Sequence, residues 1–239
     1  IIELLYGGAK GGAKSYTGCN WEIEMCGTYP GVNYFVARKE LNDLRKYTLP
    51  SFIEVFEKNN LKFDDYCKFN GQDSIINFYN GSKIHMIACK HLPSDPMFER
   101  FGSIQMTGGW LEEASEIPVD AKVNLLASIG RWKNLDYKIP RKLLYTANPK
   151  KNFLKSEFVN PLKQNKLDKD KAYIQAFVYD NLPYIGQDYV NNLEKLTGIN
   201  RQRLLKGDWD YENDPTNLIS YDSILNLYTN DYVKGGDKY

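Results

Sequence analysis

Gly7-Gly8-Ala9-Lys10-Gly11-Gly12-Ala13-Lys14-Ser15 is the stretch on which the reading of this chain turns. An apolar run (Ile1, Ile2, Leu4, Leu5) precedes it and reads as a strand, and a helical pattern from about Ser15 to Cys26 follows. Four glycines in six positions let the backbone curl until successive N–H groups point inward at a phosphate chain. The helix that follows adds the positive end of its dipole. In the pattern G-x-x-x-x-G-K-[ST], Lys14 reaches the β- and γ-phosphates and the Ser15 hydroxyl coordinates Mg²⁺. The nucleotide-binding set is therefore Gly8, Lys10, Gly11, Gly12, Ala13, Lys14, Ser15 and Tyr16. Ala13 occupies the place of the second glycine, where alanine fits only with a negative φ, and Lys10 adds a second cation inside the loop.

Outward from the loop, short apolar runs alternate with longer helical ones, which predicts a mainly parallel sheet flanked by helices. Tyr34–Ala37, Ile104–Leu111, Lys142–Thr146 and Tyr173–Val178 read as strands. Lys39–Asn59 and Val119–Ile129 read as helices, the first kinked or broken at Pro50. Ser74–Phe78 and Ser82–Ala88 alternate like half-buried strands. Asn80-Gly81 between them predicts a type I′ turn and an inserted antiparallel hairpin. From Asn181 onward the pattern turns helical, through Tyr189, Leu193 and Leu196 to Arg201–Lys206. This predicts a P-loop ATPase core over residues 1–178, a small helical subdomain over 179–228 (a lid or linker in the resemblance drawn below) and the start of a connection over 229–239.

A phosphate loop that hydrolyses nucleotide needs two carboxylates at the carboxyl end of a strand beside its own. Glu112 and Glu113 follow Ile104–Leu111, with Glu112 on the metal side and Glu113 as general base. Adjacent residues leaving a strand point in different directions, as two separate roles require. The metal set is then Ser15 and Glu112.

The bulk properties narrow the choice. The 239 residues are 42% apolar and 26% charged, which suits one large globular domain with a small appendage. With 31 basic against 30 acidic residues the net charge is +1, so a nucleic-acid contact has to be a local patch. No run of 18 apolar residues marks a membrane-spanning helix. Cys19, Cys26, Cys67 and Cys89 lie in no metal-ligand spacing and read as buried thiols. The opening at Ile1 and the closing Lys234-Gly235-Gly236-Asp237-Lys238-Tyr239 read as the edges of a piece of a longer protein.

Five segments occur in a set order: the phosphate loop, Trp110-Leu111-Glu112-Glu113-Ala114-Ser115-Glu116-Ile117-Pro118, Ile129-Gly130-Arg131, Thr146-Ala147-Asn148-Pro149 and Leu204-Leu205-Lys206-Gly207-Asp208-Trp209. Together they resemble the ATPase half of tailed-bacteriophage terminase large subunits, the DNA-packaging motors. The resemblance implies a P-loop NTPase of the additional-strand, catalytic-glutamate class, with ATP and Mg²⁺ as substrate and cofactor. It implies that Lys14 and Glu113 are catalytic, that Thr146 and Asn148 form the coupling motif sensing the γ-phosphate, and that Arg131 is an arginine finger. Arg38, Arg45, Arg100 and Arg141 are rivals for that last role. Leu204–Trp209 would belong to the lid. As partners it implies double-stranded DNA, the portal vertex of the procapsid, the terminase small subunit and other copies in a ring, with a monomer in isolation. The setting would be the host cytoplasm, without a membrane. The resemblance further leads one to expect the family's adenine-contacting segment before Ile1 and its nuclease domain after Tyr239, so that residues 1–239 by themselves are not expected to cleave DNA.

Lys150, Lys151, Lys155, Lys163, Lys166, Lys169 and Lys171 form a run that either grips DNA phosphates or is a solvated surface. Two other readings compete. A helicase of the same class would need a second lobe where Leu204–Trp209 stands. A degenerate loop that only binds or assembles is favoured by Ala13 and by Glu in place of Asp at residue 112.

Overall fold

The computed structural model describes residues 1–211; residues 212–228 of the expected lid and all of 229–239 lie outside the described residues. Eight strands form one sheet: β1 (Glu3–Gly8), β2 (Asn33–Arg38), β3 (Cys67–Asn70), β4 (Ile75–Phe78), β5 (Lys83–Ala88), β6 (Gly108–Glu112), β7 (Leu143–Ala147) and β8 (Lys171–Ala176). Their order across the sheet is β3-β4-β5-β2-β6-β7-β1-β8. Every pairing from β5 to β8 is parallel, and β3 and β4 join antiparallel at one edge. β6 and β7 are buried at every position because helices cover both faces, which is why they read as unbroken apolar runs.

The strand carrying the acids is not beside the phosphate-loop strand: β7 lies between β6 and β1. Short apolar runs specify burial, not lateral order, so their sequence leaves that neighbour unassigned. β6 is also shorter than Ile104–Leu111, with Met106 making one isolated bridge to Ile129. Its Gly109 has a packing role, since a Cβ there would meet the Phe35 ring of β2 at 2.3 Å.

The first helix, α1 (Lys14–Thr28), buries Lys14, Gly18, Glu22 and Cys26, a stripe of spacing four. Gly18 lets it lie directly on β6, because a Cβ would come within 2.4 Å of Trp110. Pro50 does not break the second helical region. Leu41–Asp43, a π-type turn over Leu44–Thr48 and Leu49–Lys58 run on continuously, the wider turn absorbing the proline's missing N–H and its ring. The hairpin exists, but its turn is not type I′. Only Gly81 has a positive φ, +88°, and Gly81 N–H donates to Phe78 O while Phe78 N–H donates to Ser82 O. That is a three-residue loop, a type I turn closed by a left-handed glycine.

Two hydrophobic layers sandwich the sheet. α1 and Leu49–Lys58 cover one face, and Val119–Ser128 with the segment through Phe158 covers the other. A third, small cluster joins Val178, Val190, Leu193 and Leu205 to Ala9 of the phosphate loop. The four cysteines are buried and unpaired. Among the described residues no helix is long and apolar enough to cross a membrane.

Glu22 stands out in the layer under α1. It is fully buried and neither carboxyl oxygen has a partner among the described residues. Burial, reinforced by the Glu112 charge, pushes its pKa well above 4.5. The unfolded chain releases this proton near the ordinary carboxylate value while the folded chain holds it. Stability therefore falls as pH rises above about 4.5 towards the raised folded value. Glu22→Gln should raise the melting temperature by about 3 °C or more at about pH 8 and change it little at about pH 4, as thermal denaturation at both will show.

Candidate active site

The carboxyl ends of β1, β6 and β7 share one edge of the parallel sheet, and the chemistry gathers there. After Gly8 the loop is pinned by Ala9 N–H to Ala176 O at 2.9 Å and by Lys10 N–H to Leu204 O at 2.8 Å. Ala13, before the first residue of α1, has φ 55° and ψ 20° and offers no side-chain cap. The expected negative φ is not what the loop adopts: the turn into the helix needs a left-handed residue. Alanine takes that conformation at a cost of about 1–2 kcal/mol. Without a capping side chain, the first N–H groups of α1 remain available to an anion.

Lys14 points into the loop and donates from Nζ to Ala9 O at 2.5 Å and to Gly8 O at 3.5 Å. Burial lowers its pKa to about 8, with the Glu113 charge opposing that shift. Lys10 is exposed on the rim. Of the two loop lysines, Lys14 holds the interior position.

Glu112, 4% exposed, closes β6 and takes hydrogen bonds on both oxygens. Ser15 Oγ donates to Oε1 at 2.8 Å and the Thr48 hydroxyl donates to Oε2. Arg38 Nη1 stands 3.9 Å from Oε2. Glu113 turns away into a left-handed conformation, φ 48° and ψ 45°, which sends its carboxyl into the cleft. Burial raises its pKa, the Lys14 charge opposes this, and Glu112 adds to it. A strained backbone and a desolvated carboxyl beside a buried cation are features that collect where chemistry is done.

Asn148, just past β7, lines the same cleft, and its Oδ1 is buried without a partner among the described residues. Thr146 does not join it. Its hydroxyl lies inside the sheet, accepting a 2.8 Å bond from Trp110 Nε1, in register with Glu112. Arg131 is further away. It is exposed, its backbone N–H donates to Met106 O and its Nη1 to Gly102 O at 3.3 Å, at the amino end of β6. The rivals Arg45 and Arg100 bond elsewhere, to Ser74 and to Asp95. Arg38 alone among the rivals meets a site carboxylate among the described residues.

The cleft encloses about 400 Å³. Lys10–Tyr16 line it together with Ser51 and Glu54, with Glu113 and Asn148, and with Asn181, Ile185 and Tyr189. A larger cavity of about 540 Å³ on the inserted hairpin contains no carboxylate, so chemistry and not size identifies the site. Among the described residues no three His, Cys, Asp or Glu side chains converge as a metal cage. Ser15 and Glu112 nevertheless offer hard oxygen donors beside the loop. That fits Mg²⁺, which completes its shell with phosphate oxygens and water.

Sequence reasoning missed Thr48, Ser51, Asn181, Ile185 and Tyr189, and left Arg38 among five arginines. Arg38 had a signal, since it ends a parallel strand on the edge where sites form. Among the described residues, three of the seven lysines of the run make ion pairs within the fold. Lys155 and Lys163 pair with Asp210, and Lys171 pairs with Glu157 at 2.6 Å and lies 3.7 Å from Glu3.

A family model described as phage terminase large subunit matches residues 1–205. Among solved structures, the large terminase of a thermophilic bacteriophage in complex with ADP aligns with a TM-score of 0.68 at 16% identity, over 87% of this chain and 48% of that one. The same terminase in complex with ATP-gamma-S gives 0.64 at 16% identity, over 87% and 47%. A mutant of the large terminase ATPase domain of a Thermus phage gives 0.57 at 11%, over 87% and 88%. At these identities the likeness is one of fold. The chain spans about half the length of the two nucleotide-bound terminase structures. No curated protein matches it.

Ala13→Gly should stabilise the chain by about 0.5–1 kcal/mol, because glycine takes the left-handed turn without strain and loses part of the gain to chain entropy. An unchanged or lower urea midpoint would show that Ala13 carries no strain.

Proposed function

Because the chain belongs to the phage terminase large subunits, we propose that it hydrolyses ATP to drive double-stranded DNA into a procapsid. The observation that carries this reading is the 2.8 Å bond from Ser15 to Glu112. It joins the loop hydroxyl to the strand-end carboxylate, with Lys14 and Glu113 in the same cleft.

The loop amides and the start of α1 hold the phosphates, and the Lys14 ammonium offsets their charge. Ser15 and Glu112 would hold Mg²⁺, which would supply further neutralisation of the phosphate charge. Glu113 accepts a proton from the attacking water as its oxygen bonds to the γ-phosphorus. The bond to the bridging oxygen then breaks, giving ADP and inorganic phosphate. The Asn148 side chain would donate from Nδ2 to the γ-phosphate and register its departure, while Thr146 holds Trp110 and the strand behind it. Arg38 steadies the Glu112 carboxylate. Arg131 cannot reach its own cleft from the amino edge of the sheet, so we assign it to the cleft of a neighbouring copy. Removing such an arginine costs about 10³–10⁵ in rate, which makes turnover depend on ring assembly.

The ring would sit at the portal vertex of the procapsid in the host cytoplasm and receive DNA with the terminase small subunit. Residues from 179 onward would act as the lid that moves with the loop. Glu112 engages Ser15, which argues against a degenerate loop, whereas the left-handed Ala13 keeps its departure from the loop pattern.

Phosphate release from MgATP at high protein concentration tests the reading. Glu113→Gln should lower kcat by about 10²–10⁴-fold while nucleotide affinity stays within a few-fold. With the wild type, the rate should decline on acidification above the ordinary carboxylate range, because protonated Glu113 accepts no proton. A Glu113→Gln protein that turns over like the wild type contradicts the assignment.

A further inference from the structure

We infer that Tyr189, with Ile185 beside it, forms the wall against which the purine base of the nucleotide stacks, so that the helical segment after β8 is part of the nucleotide site. This rests on the phosphate-loop reading above and adds to it where the base goes.

The reacting end of the cleft is fixed by Glu112 and Glu113 at the end of β6 and by Asn148 just past β7. A terminal phosphate exposed to Glu113 faces that side of β1. The nucleoside then leaves the loop on the other side, where β8 and the chain after it lie. Asn181 Nδ2 donates to Gly11 O at 2.8 Å there, which fixes the helical segment to the loop. The Tyr189 ring lies against Gly11 so closely that a Cβ on Gly11 would stand 2.7 Å from Cε1, with Ile185 Cδ1 at 3.4 Å. Both side chains are half-buried and line the cleft.

The rest of the cleft lining is mostly polar or charged, and the chemistry of a purine face calls for an aromatic or apolar partner. Tyr16 is the other aromatic residue in the lining. Its ring already carries Lys58 Nζ at 5.5 Å from its centroid, on the side of the Leu49–Lys58 helix. That helical region also supplies Thr48 to Glu112, so it flanks the metal end. The Tyr189 hydroxyl has no hydrogen-bond partner among the described residues, so its ring is what it contributes.

Calorimetry with Mg²⁺ and two ligands, a non-hydrolysable ATP analogue and inorganic tripolyphosphate, separates base from phosphate contacts. Tyr189→Ala should weaken the analogue about tenfold or more and leave tripolyphosphate within about twofold. Tyr189→Phe should match the wild type, and Ile185→Ala should give a smaller loss confined to the analogue. Equal losses for both ligands would mean that Tyr189 only shapes the loop through Gly11, and no loss for either would place the base elsewhere; each overturns the inference. A wild type that binds tripolyphosphate as tightly as the analogue overturns this inference alone. One that binds neither overturns the phosphate-site reading as well.

Discussion

The carboxylate of Glu112 is the point on which the site depends. It sits at 4% exposure, where an unpaired charge is costly, and two hydroxyls from separate elements together with the Arg38 guanidinium offset that cost. Ser15 belongs to α1, Thr48 to the helical region before Leu49, and Arg38 to the end of β2. One side chain thus ties four elements together at the carboxyl edge of the sheet. The approach of α1 is possible because Gly18 lies against Trp110, and Trp110 in turn is held by Thr146 of β7. Glu22, deeper under α1, feels the same charge and is driven towards its neutral form, which spares the core a second unpaired anion.

The loop is bound as firmly to the segment behind it. Lys10 N–H reaches Leu204 O, Asn181 reaches Gly11 O, and Gln175 Nε2 donates to Gly207 O at 3.0 Å. Trp209 bonds Tyr173 and sits in the main core, and Asp210 is held by Lys155 and Lys163. Residues 178–211 are therefore anchored at two places, the phosphate loop and the helix through Phe158. A change in loop conformation acts on hydrogen bonds that those residues make directly.

How much of this was legible in the sequence follows from what sets each feature. The loop was legible because its chemistry is local: glycines, Lys14 and Ser15 lie within one turn of chain between a strand and a helix. The acidic pair was legible as a strand end, and the register of β6 with β7 brings Glu112 to the edge where the first turn of α1 carries Ser15. The insertion of β7 was not, because lateral order is set by crossover packing. Partners distant in sequence, such as Thr48 and Tyr189, left no spacing to read. Local rules also failed where a larger context relieved them. Ala13 accepts a left-handed turn, Pro50 follows a π-type turn, and Asn80 leaves the left-handed position to Gly81 alone. The lysine run divides: Glu157 within it and Glu3 and Asp210 outside it engage Lys155, Lys163 and Lys171, while Lys150, Lys166 and Lys169 stay exposed.

The most direct measurement is calorimetric binding of a non-hydrolysable ATP analogue with Mg²⁺, comparing the wild type with Lys14→Ala. Saturable binding by the wild type, lost in the variant, is the result this account predicts. Equal binding by both chains would contradict it, because the phosphate chain would then be held by something other than the loop that organises the site.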